Sequence, residues 1–121
     1  MFPKYWEEFV EANNIIGSDF EIDEESDISE VGGDLRIMTS DQCTNEATNC
    51  YPGILAIKDQ YIPIAMCLEG SGDYYYINSN DGHSGPLYRI YHDSVEGDEI
   101  NKVGIEIVLE SYENLLSYKR P

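Results

Sequence analysis

The apolar and polar positions of residues 60–92 alternate in three short runs, separated by stretches rich in glycine, serine and asparagine. Within residues 61–68, isoleucine, methionine and leucine occupy every second position, which is typical of a β-strand with one buried face. Glycines in the intervening stretches permit the positive φ of a tight reversal. We therefore predict an antiparallel meander, whose second and third strands are residues 73–78 and 87–92. Pro63 has no backbone N–H to donate, so we expect it near the start of its strand or on an edge.

Apolar residues recur at helical spacing near both ends of the chain. Pro3 suits the first turn of a helix, and Trp6 begins an apolar stripe that predicts an amphipathic helix over residues 3–13. We interpret Trp6, the single tryptophan, as a core anchor rather than a binding residue. Towards the other end, Ser111 is suited to cap a helix over residues 112–118. The side of that helix predicted to face inward carries Leu115 and Leu116.

The segments between these elements have shorter patterns. Residues 40–52 are polar and rich in turn-forming residues, with room for one helical turn, whereas the apolar residues 53–58 predict a short strand that forms a hairpin with the meander. Further strands are predicted at residues 20–22, 34–39 and 103–109. The whole pattern predicts one α+β domain over residues 1–121, in which a twisted, mainly antiparallel sheet has an N-terminal and a C-terminal helix packed against it.

Length and composition narrow the class of protein. The 121 residues, 41% of them hydrophobic, suffice for one domain with a core but not for two. The chain contains no apolar run close to the roughly 20 residues of a membrane span, and its start lacks the apolar core of a signal peptide. We therefore expect a cytoplasmic protein. Its three cysteines are an odd number, which favours reduced thiols over a disulfide framework.

The net charge of −17, from 24 acidic and 7 basic side chains, is the most unusual global property. Nucleic acid and anionic membranes are not expected partners, because binding phosphates requires clustered lysine and arginine. Such a charge favours cationic partners instead and accelerates their association. The alternative is that the charge serves solubility alone.

Acidic residues are densest in residues 18–30, where seven of the thirteen side chains are Asp or Glu. Phe20 and Ile22 fit a short edge strand there, but we expect the remaining residues to stay solvated, because unpaired charges are not buried. The spacing of the carboxylates invites comparison with a calcium-binding loop. That interpretation fails, because such a loop requires a glycine at its sixth position and this stretch contains none.

The sequence shows no arrangement typical of an enzyme. Gly70-Ser71-Gly72 lacks the spacing of a nucleophile elbow and lies between two predicted strands. His92 is followed directly by Asp93, but neighbouring residues of a strand point to opposite faces. Cys43 and Cys50 are separated by six residues, which is outside the spacing typical of zinc ligands. We therefore predict no enzymatic activity, no cofactor and no metal.

Several features occur together along the chain: a helix with Trp6, the strand Ile62-Pro63-Ile64-Ala65, the turn Glu69-Gly70-Ser71-Gly72-Asp73, the run Tyr74-Tyr75-Tyr76-Ile77, and the closing residues 111–116. This combination resembles the SUKH superfamily, which includes yeast regulators of cell-wall assembly and many bacterial immunity proteins of polymorphic toxin systems. The similarity spans nearly the whole domain. The most specific matches, which the resemblance marks as determinants of the fold, are Pro63, Gly70, Gly72, Asp73 and Tyr75.

The resemblance implies an α+β domain that binds and neutralises a cognate protein toxin, often a nuclease. The charge agrees independently, because a nuclease needs a cationic groove for its substrate and an acidic protein can cover such a groove. The candidate partner-binding residues are Asp23, Glu24, Glu25, Asp27 and Glu30. Two alternatives stay open: a regulatory or scaffold domain without a toxin partner, as the eukaryotic relatives suggest, and an enzyme on a small α+β frame.

Overall fold

A curled antiparallel sheet of six strands forms the centre of the protein, for which a computed structural model describes residues 2–121. The strands along the chain are β1 (Asp19–Ile22), β2 (Gly33–Ile37), β3 (Tyr61–Cys67), β4 (Tyr75–Asn78), β5 (Leu87–Ile90), β6 (Val95–Glu96), β7 (Glu99–Ile100) and β8 (Ile105–Leu109). The large sheet has the order β1-β2-β3-β4-β5-β8, and β6 pairs with β7 in a separate hairpin. The helices are α1 (Lys4–Asn13), α2 (Ser40–Asn49) and α3 (Gly53–Ala56), and 3₁₀ helices occupy Ile57–Asp59, Ser79–Asp81, Lys102–Gly104 and Tyr112–Tyr118. The fold is α+β, as predicted.

The predicted meander is confirmed, because β3, β4 and β5 pair antiparallel in the order of the chain. Pro63 lies near the start of its strand, which is one of the two places expected for it. It is the third residue of β3, which lies in the middle of the sheet and not on an edge, and the pairing register with β4 shifts between Pro63 and Ala65. A local irregularity of this kind tolerates a residue without an N–H.

One face of the sheet packs against α1 and the C-terminal 3₁₀ helix. Trp6 is 3% exposed, and its ring lies 5.6 Å from that of Phe9 and 5.4 Å from that of Tyr112, measured between centroids. Every strand of the sheet contributes to this core; the contributing side chains include Phe20, Leu35, Ile64, Ile77, Leu87 and Val108. The N-terminal helix was predicted at residues 3–13 and is observed one residue shorter, with Pro3 at its N-cap.

The opposite face of the sheet carries a smaller core under α3. Tyr76 and Ile90 from the sheet pack there against Leu55 and Ala56. The strand predicted for residues 53–58 was therefore wrong, because this segment forms α3 and the start of the next 3₁₀ helix. A short apolar run has the same composition in a buried strand and in a buried helix, so its pattern did not discriminate.

Helix α2 lies in the stretch, residues 40–52, that was predicted to be turn-rich with room for only one helical turn, so that prediction was wrong. It begins at a capping box, in which Thr39 Oγ1 accepts a hydrogen bond from Gln42 N at 3.2 Å. In return, Gln42 Oε1 accepts one from Thr39 N at 2.9 Å. Cys43 and Ala47, one turn apart, are buried. The capping box provides hydrogen-bond partners for backbone N–H groups that would otherwise be unpaired at the start of the helix. It thereby favours a helix in a segment whose residues have low intrinsic helix propensity.

The predicted C-terminal helix is present, but as a 3₁₀ helix. Ser111 caps it as expected, since Ser111 Oγ accepts a hydrogen bond from Glu113 N at 3.2 Å. Leu115 is fully buried, whereas Leu116 is 43% exposed, so the prediction that both leucines face inward was wrong for Leu116. With three residues per turn, successive side chains point about 120° apart, so neighbours do not share a face.

Two backbone contacts connect the distant edges of the curled sheet. The loop after β1 reaches β8, where Ile28 N donates a hydrogen bond to Val108 O at 2.9 Å. The C-terminal segment runs beside β1, where Lys119 forms a bridge to Phe20 and Arg120 N donates to Asp19 O at 2.9 Å. The sheet is thus joined across its open side by two segments outside its own strands.

Close packing between α2 and α3 leads to a first prediction. A Cβ atom at Gly53 would overlap the main-chain carbonyl oxygen of Glu46, which cannot turn away as a side chain could. Replacing Gly53 by alanine is therefore expected to lower the free energy of unfolding by about 1–3 kcal/mol. Urea unfolding monitored by circular dichroism measures this. The exposed substitution Thr44→Ala on α2 is the control, expected within about 0.5 kcal/mol of the original chain; equal midpoints for both variants would refute the predicted packing.

Candidate protein-binding surface

The loop between β1 and β2, residues 23–32 and hereafter the acidic loop, contains all five predicted partner-binding carboxylates. Four of them are exposed: Asp23, Glu24, Glu25 and Glu30. The loop also exposes two aliphatic side chains, since Ile28 is 51% and Val31 49% accessible to solvent. Charge and apolar surface are therefore presented together on one short segment.

Asp27 differs from the other carboxylates of the acidic loop because it is only 2% exposed. The expectation that every charge of this tract stays solvated was wrong for this residue. Its Oδ1 accepts hydrogen bonds from Ser29 N at 2.7 Å and from Ser29 Oγ at 2.5 Å. Its Oδ2 accepts from Gly32 N at 2.9 Å and from Arg89 Nη2 at 2.9 Å. Asp27 thus holds the loop together from beneath, and it is not available on the surface for a partner.

Arg89, on β5, is the buried cation opposite Asp27. Its Nη1 donates to Ser29 Oγ at 2.7 Å, and its Nη2 also donates to Gly32 O at 3.1 Å. The same nitrogen lies 3.2 Å from the hydroxyl of Tyr75, and the guanidinium sits 5.1 Å from the centre of the Tyr75 ring. These contacts connect the acidic loop to two neighbouring strands of the meander, so the loop is fixed to the rigid part of the fold.

The protonation of Asp27 follows from these contacts. Burial alone would raise the pKa of its carboxyl group, but the hydrogen bonds from Ser29 and Arg89, together with the Arg89 charge, lower that pKa below its ordinary value. Asp27 is therefore ionised wherever the protein is folded near neutral pH. Asp27 and Arg89 therefore form a buried ion pair, and both side chains also hydrogen-bond to Ser29 and Gly32 of the acidic loop.

Gly33 explains how the acidic loop can lie close to β4. A Cβ atom at this position would overlap the hydroxyl of Tyr75, the group that contacts Arg89. The preceding Gly32 has φ +74°, a conformation that side chains other than glycine rarely adopt. The glycine pair at the end of the loop is thus required by the buried network as well as by the turn.

A groove of about 690 Å³, hereafter the acidic groove, runs beside the acidic loop and the ends of β1 and β2. Its carboxylates are Glu21, Asp23, Glu24, Glu25, Asp34 and Glu69. Glu69 belongs to the turn after β3 and is held in place by accepting a hydrogen bond from Asp34 N at 2.8 Å. Among residues 2–121, one cation approaches these groups: Arg120 Nη2 lies 3.1 Å from Glu21 Oε2 and 3.2 Å from Asp34 Oδ2. Six carboxylates against one guanidinium leave the groove strongly negative.

The glycine-rich turn between β3 and β4 is built as its residues suggested. Gly70 and Gly72 have φ values of +81° and +79°. Asp73 braces the turn against the end of β5, because its Oδ1 accepts a hydrogen bond from His92 N at 2.9 Å and lies 2.7 Å from His92 Nδ1. This hydrogen bond raises the pKa of the exposed His92 imidazole. The turn therefore positions Glu69 at the acidic groove and has structural contacts of its own.

A second cluster combines a hydroxyl, an imidazole and a carboxylate. Ser84 Oγ lies 2.7 Å from His83 Nδ1 and also hydrogen-bonds to Glu113. In a nucleophilic triad the imidazole stands between the hydroxyl and the carboxylate, so that the carboxylate orients the base. Here the hydroxyl stands between the other two groups, and Glu113 does not contact the imidazole through a hydrogen bond. The arrangement therefore lacks the order that activates a serine.

The histidine, cysteine and acidic side chains show neither a metal site nor a reactive buried thiol within residues 2–121. Within residues 2–121, no group of three or more His, Cys, Asp or Glu side chains is arranged to hold a metal ion. The three cysteines are free thiols, and burial raises the pKa of Cys43 to about 12. A thiol with such a pKa is not a nucleophile at neutral pH.

Across residues 2–121, none of the helices has both the length and the apolar character needed to cross a membrane. Comparison of the chain with protein-family models, with curated proteins and with solved structures gives no match. The chemistry of its own surface is therefore the basis for a functional proposal.

Proposed function

We propose that this chain is an immunity protein, which binds a basic cognate toxin through the acidic loop and the acidic groove. The observation that carries the proposal is the buried pair of Asp27 and Arg89, which fixes an exposed, negatively charged loop in one conformation. A loop ordered before binding loses less conformational entropy in the complex, so more of the contact energy appears as affinity.

Charge supports a basic protein as the partner. The acidic groove has six carboxylates and one approaching cation, and the chain as a whole carries −17. A field of this sign steers a cationic surface into contact and discriminates against acidic proteins. A toxin that cleaves nucleic acid presents a cationic groove to the phosphate backbone, and this surface would cover such a groove.

Apolar contacts from the same loop would supply affinity after the encounter. Ile28 and Val31 are about half exposed and lie among the carboxylates of the acidic loop. Exposed aliphatic side chains within a charged surface suit the centre of a protein interface, where water is excluded and the charged groups form the rim. The resemblance to SUKH immunity proteins is consistent with this role and gives the toxin its proposed class.

Co-expression of this chain with the product of the neighbouring gene tests the proposal, which expects that product to carry a toxin domain. The original chain is expected to restore growth and to co-purify with the toxin. A variant with Asp23→Asn, Glu24→Gln, Glu25→Gln and Glu30→Gln is expected to lose protection. The matched control neutralises four exposed carboxylates in and beside the β6–β7 hairpin: Asp93, Glu96, Asp98 and Glu99.

The outcomes separate the open alternatives. Equal protection by both variants would contradict the assignment of the acidic loop as the contact. A regulatory or scaffold domain without a toxin partner would instead bind a basic protein that is harmless when expressed alone. That result would retain the surface and overturn the immunity function.

A further inference from the structure

A second groove lies beside α1, at the end of the β1–β2 hairpin opposite the acidic loop. This groove, hereafter the α1 groove, has a volume of about 370 Å³. Its apolar lining consists of Phe2, Trp6, Val10, Ile16 and Met38. Ile16 is 53% exposed although it follows the fully buried Ile15, so apolar surface is left open to solvent here. Nothing in the proposed function uses this groove.

The charged residues of the α1 groove are Glu7 and Glu11, one turn apart on α1. Like charges at this spacing repel each other and weaken a helix. Glu11 lies in the last turn, where the helix dipole already places negative charge and where α1 has no basic residue. Within residues 2–121, no basic side chain forms an ion pair with either glutamate; Lys4 pairs with Glu8 instead, at 3.9 Å.

A cation in the α1 groove would relieve both the repulsion between Glu7 and Glu11 and the unfavourable interaction of Glu11 with the helix dipole. We propose that the groove binds a lysine- or arginine-bearing segment of the same basic partner. The aliphatic part of that segment would cover Ile16 and the neighbouring apolar side chains, while its cation would lie between Glu7 and Glu11. Long basic side chains combine an apolar stem with a charged end, which matches an apolar floor with an acidic rim. The inference rests on the proposed function only in taking the partner to be basic.

The two ends of the hairpin are close enough for one partner to reach both, because β1 is four residues long and therefore spans about 13 Å. Stable protein interfaces bury about 800 Å² on each side, so a contact that includes the α1 groove as well as the acidic loop suits a single partner. With the α1 groove included, the contact surface extends along the β1–β2 hairpin. The acidic groove and the α1 groove would contribute independently to the binding energy, because no residue lines both.

Tryptophan fluorescence provides a direct test, because Trp6 is the single tryptophan and lines the groove. The probe is a short peptide of alternating lysine and leucine. The controls are a lysine–glycine peptide, which has the charge without the apolar side chains, and a glutamate–leucine peptide, which has the reverse charge. We expect a saturable change of Trp6 emission with the lysine–leucine peptide and none with the controls.

Variants then locate the binding. Glu7→Gln with Glu11→Gln is expected to weaken the lysine–leucine peptide about five- to tenfold, the effect of two exposed charge pairs. The control Glu99→Gln with Glu110→Gln changes the net charge equally at exposed sites outside the groove and is expected to leave the affinity unchanged. Ile16→Ser should weaken binding without changing charge.

The two proposals fail in different ways. Absence of a Trp6 response to the lysine–leucine peptide, or equal affinity in the groove and control variants, would overturn the α1 groove as a binding site. Neutralising the acidic loop is expected to leave this peptide response intact. Loss of toxin protection on changing the loop, with the Trp6 response absent, would keep the proposed function and reject the second contact.

Discussion

Replacing Arg89 by methionine is expected to lower the free energy of unfolding by about 3–5 kcal/mol, because Asp27 would keep a buried charge without a cationic partner. Asp27 is 2% exposed, so water cannot replace the lost ion pair. The substitution also removes the donors that reach Ser29 and Gly32. Chemical denaturation at neutral pH measures the loss, and backbone amide exchange in residues 23–32 is expected to accelerate more than elsewhere.

The pH dependence of this loss identifies its cause. In the original chain the pKa of Asp27 is lowered on folding, so its ionisation stabilises the protein above the unfolded value of about 3.9. That stabilisation disappears as the pH falls through the lower pKa of the folded state. In Arg89→Met, burial without the cation would raise the pKa of Asp27, so that protonation relieves the defect. The stability difference between the two proteins is therefore expected to shrink as the pH falls towards about 4.

Two control variants separate the ion pair from simple packing. Tyr75→Phe removes one hydroxyl and leaves the pair intact, so it is expected to cost about 1 kcal/mol with no dependence on pH. Asp27→Asn combined with Arg89→Met leaves no buried charge and should be less destabilising than the sum of the single substitutions. A loss for Arg89→Met that is the same at every pH would show that lost packing, not charge, is responsible.

Reversing the charge of the acidic loop, with lysine at positions 23, 24, 25 and 30, is expected to slow association with the basic partner by about 10- to 1000-fold at low salt. The four side chains are exposed and act mainly on the encounter, before close contact is made. Asp27 is left unchanged, so its hydrogen bonds with Ser29, Gly32 and Arg89 are retained, whereas the hydrogen bond from Ser26 N to Asp23 Oδ1 is lost. Stopped-flow measurements over a range of ionic strength determine the rate and its slope with salt.

The salt dependence makes the test specific. Exposed charges are screened over a Debye length of about 10 Å at 0.1 M ionic strength, so the difference between the two proteins should diminish as salt is added. The same reversal at Asp93, Glu96, Asp98 and Glu99 changes the net charge equally and is expected to have a smaller effect, because those residues lie in the β6–β7 region. Equal slowing by both variants would show that net charge matters and that the acidic loop has no special place in the contact.

The sheet and the first helix could be predicted because their signals are local. The period of two in β3 and the tyrosine run of β4 identified both strands, although the structure buries residues on both faces of these strands and not on one face alone. The helices on the second face could not be predicted in the same way. An apolar run such as residues 53–58 becomes helix or strand according to what packs against it, and here α2 lies in that place. The capping box at Thr39 was a local signal for α2 that the polar composition obscured.

The candidate surface could be predicted only in part, because its charge is a local signal of the sequence and its buried ion pair is not. Density of charge identified the acidic tract, but charge alone could not distinguish Asp27 from its neighbours. Its partner, Arg89, is 62 residues further along the chain, and only the fold brings the two together. Ser29 two positions after Asp27, and the glycine pair at the end of the loop, were the available local hints of a compact hydrogen-bonded turn. The α1 groove arises from the junction of separate segments, which no local pattern reveals.

The contact of Lys119 and Arg120 with β1 has a practical consequence for handling the protein. An affinity tag or fusion partner attached directly after these residues is expected to displace them from the backbone groups of Asp19 and Phe20 with which they pair. Displacement of the segment would also leave the margin of the sheet free to recruit a strand from another molecule. Attachments are therefore better placed ahead of α1, or beyond a flexible spacer that lets the final residues keep their position.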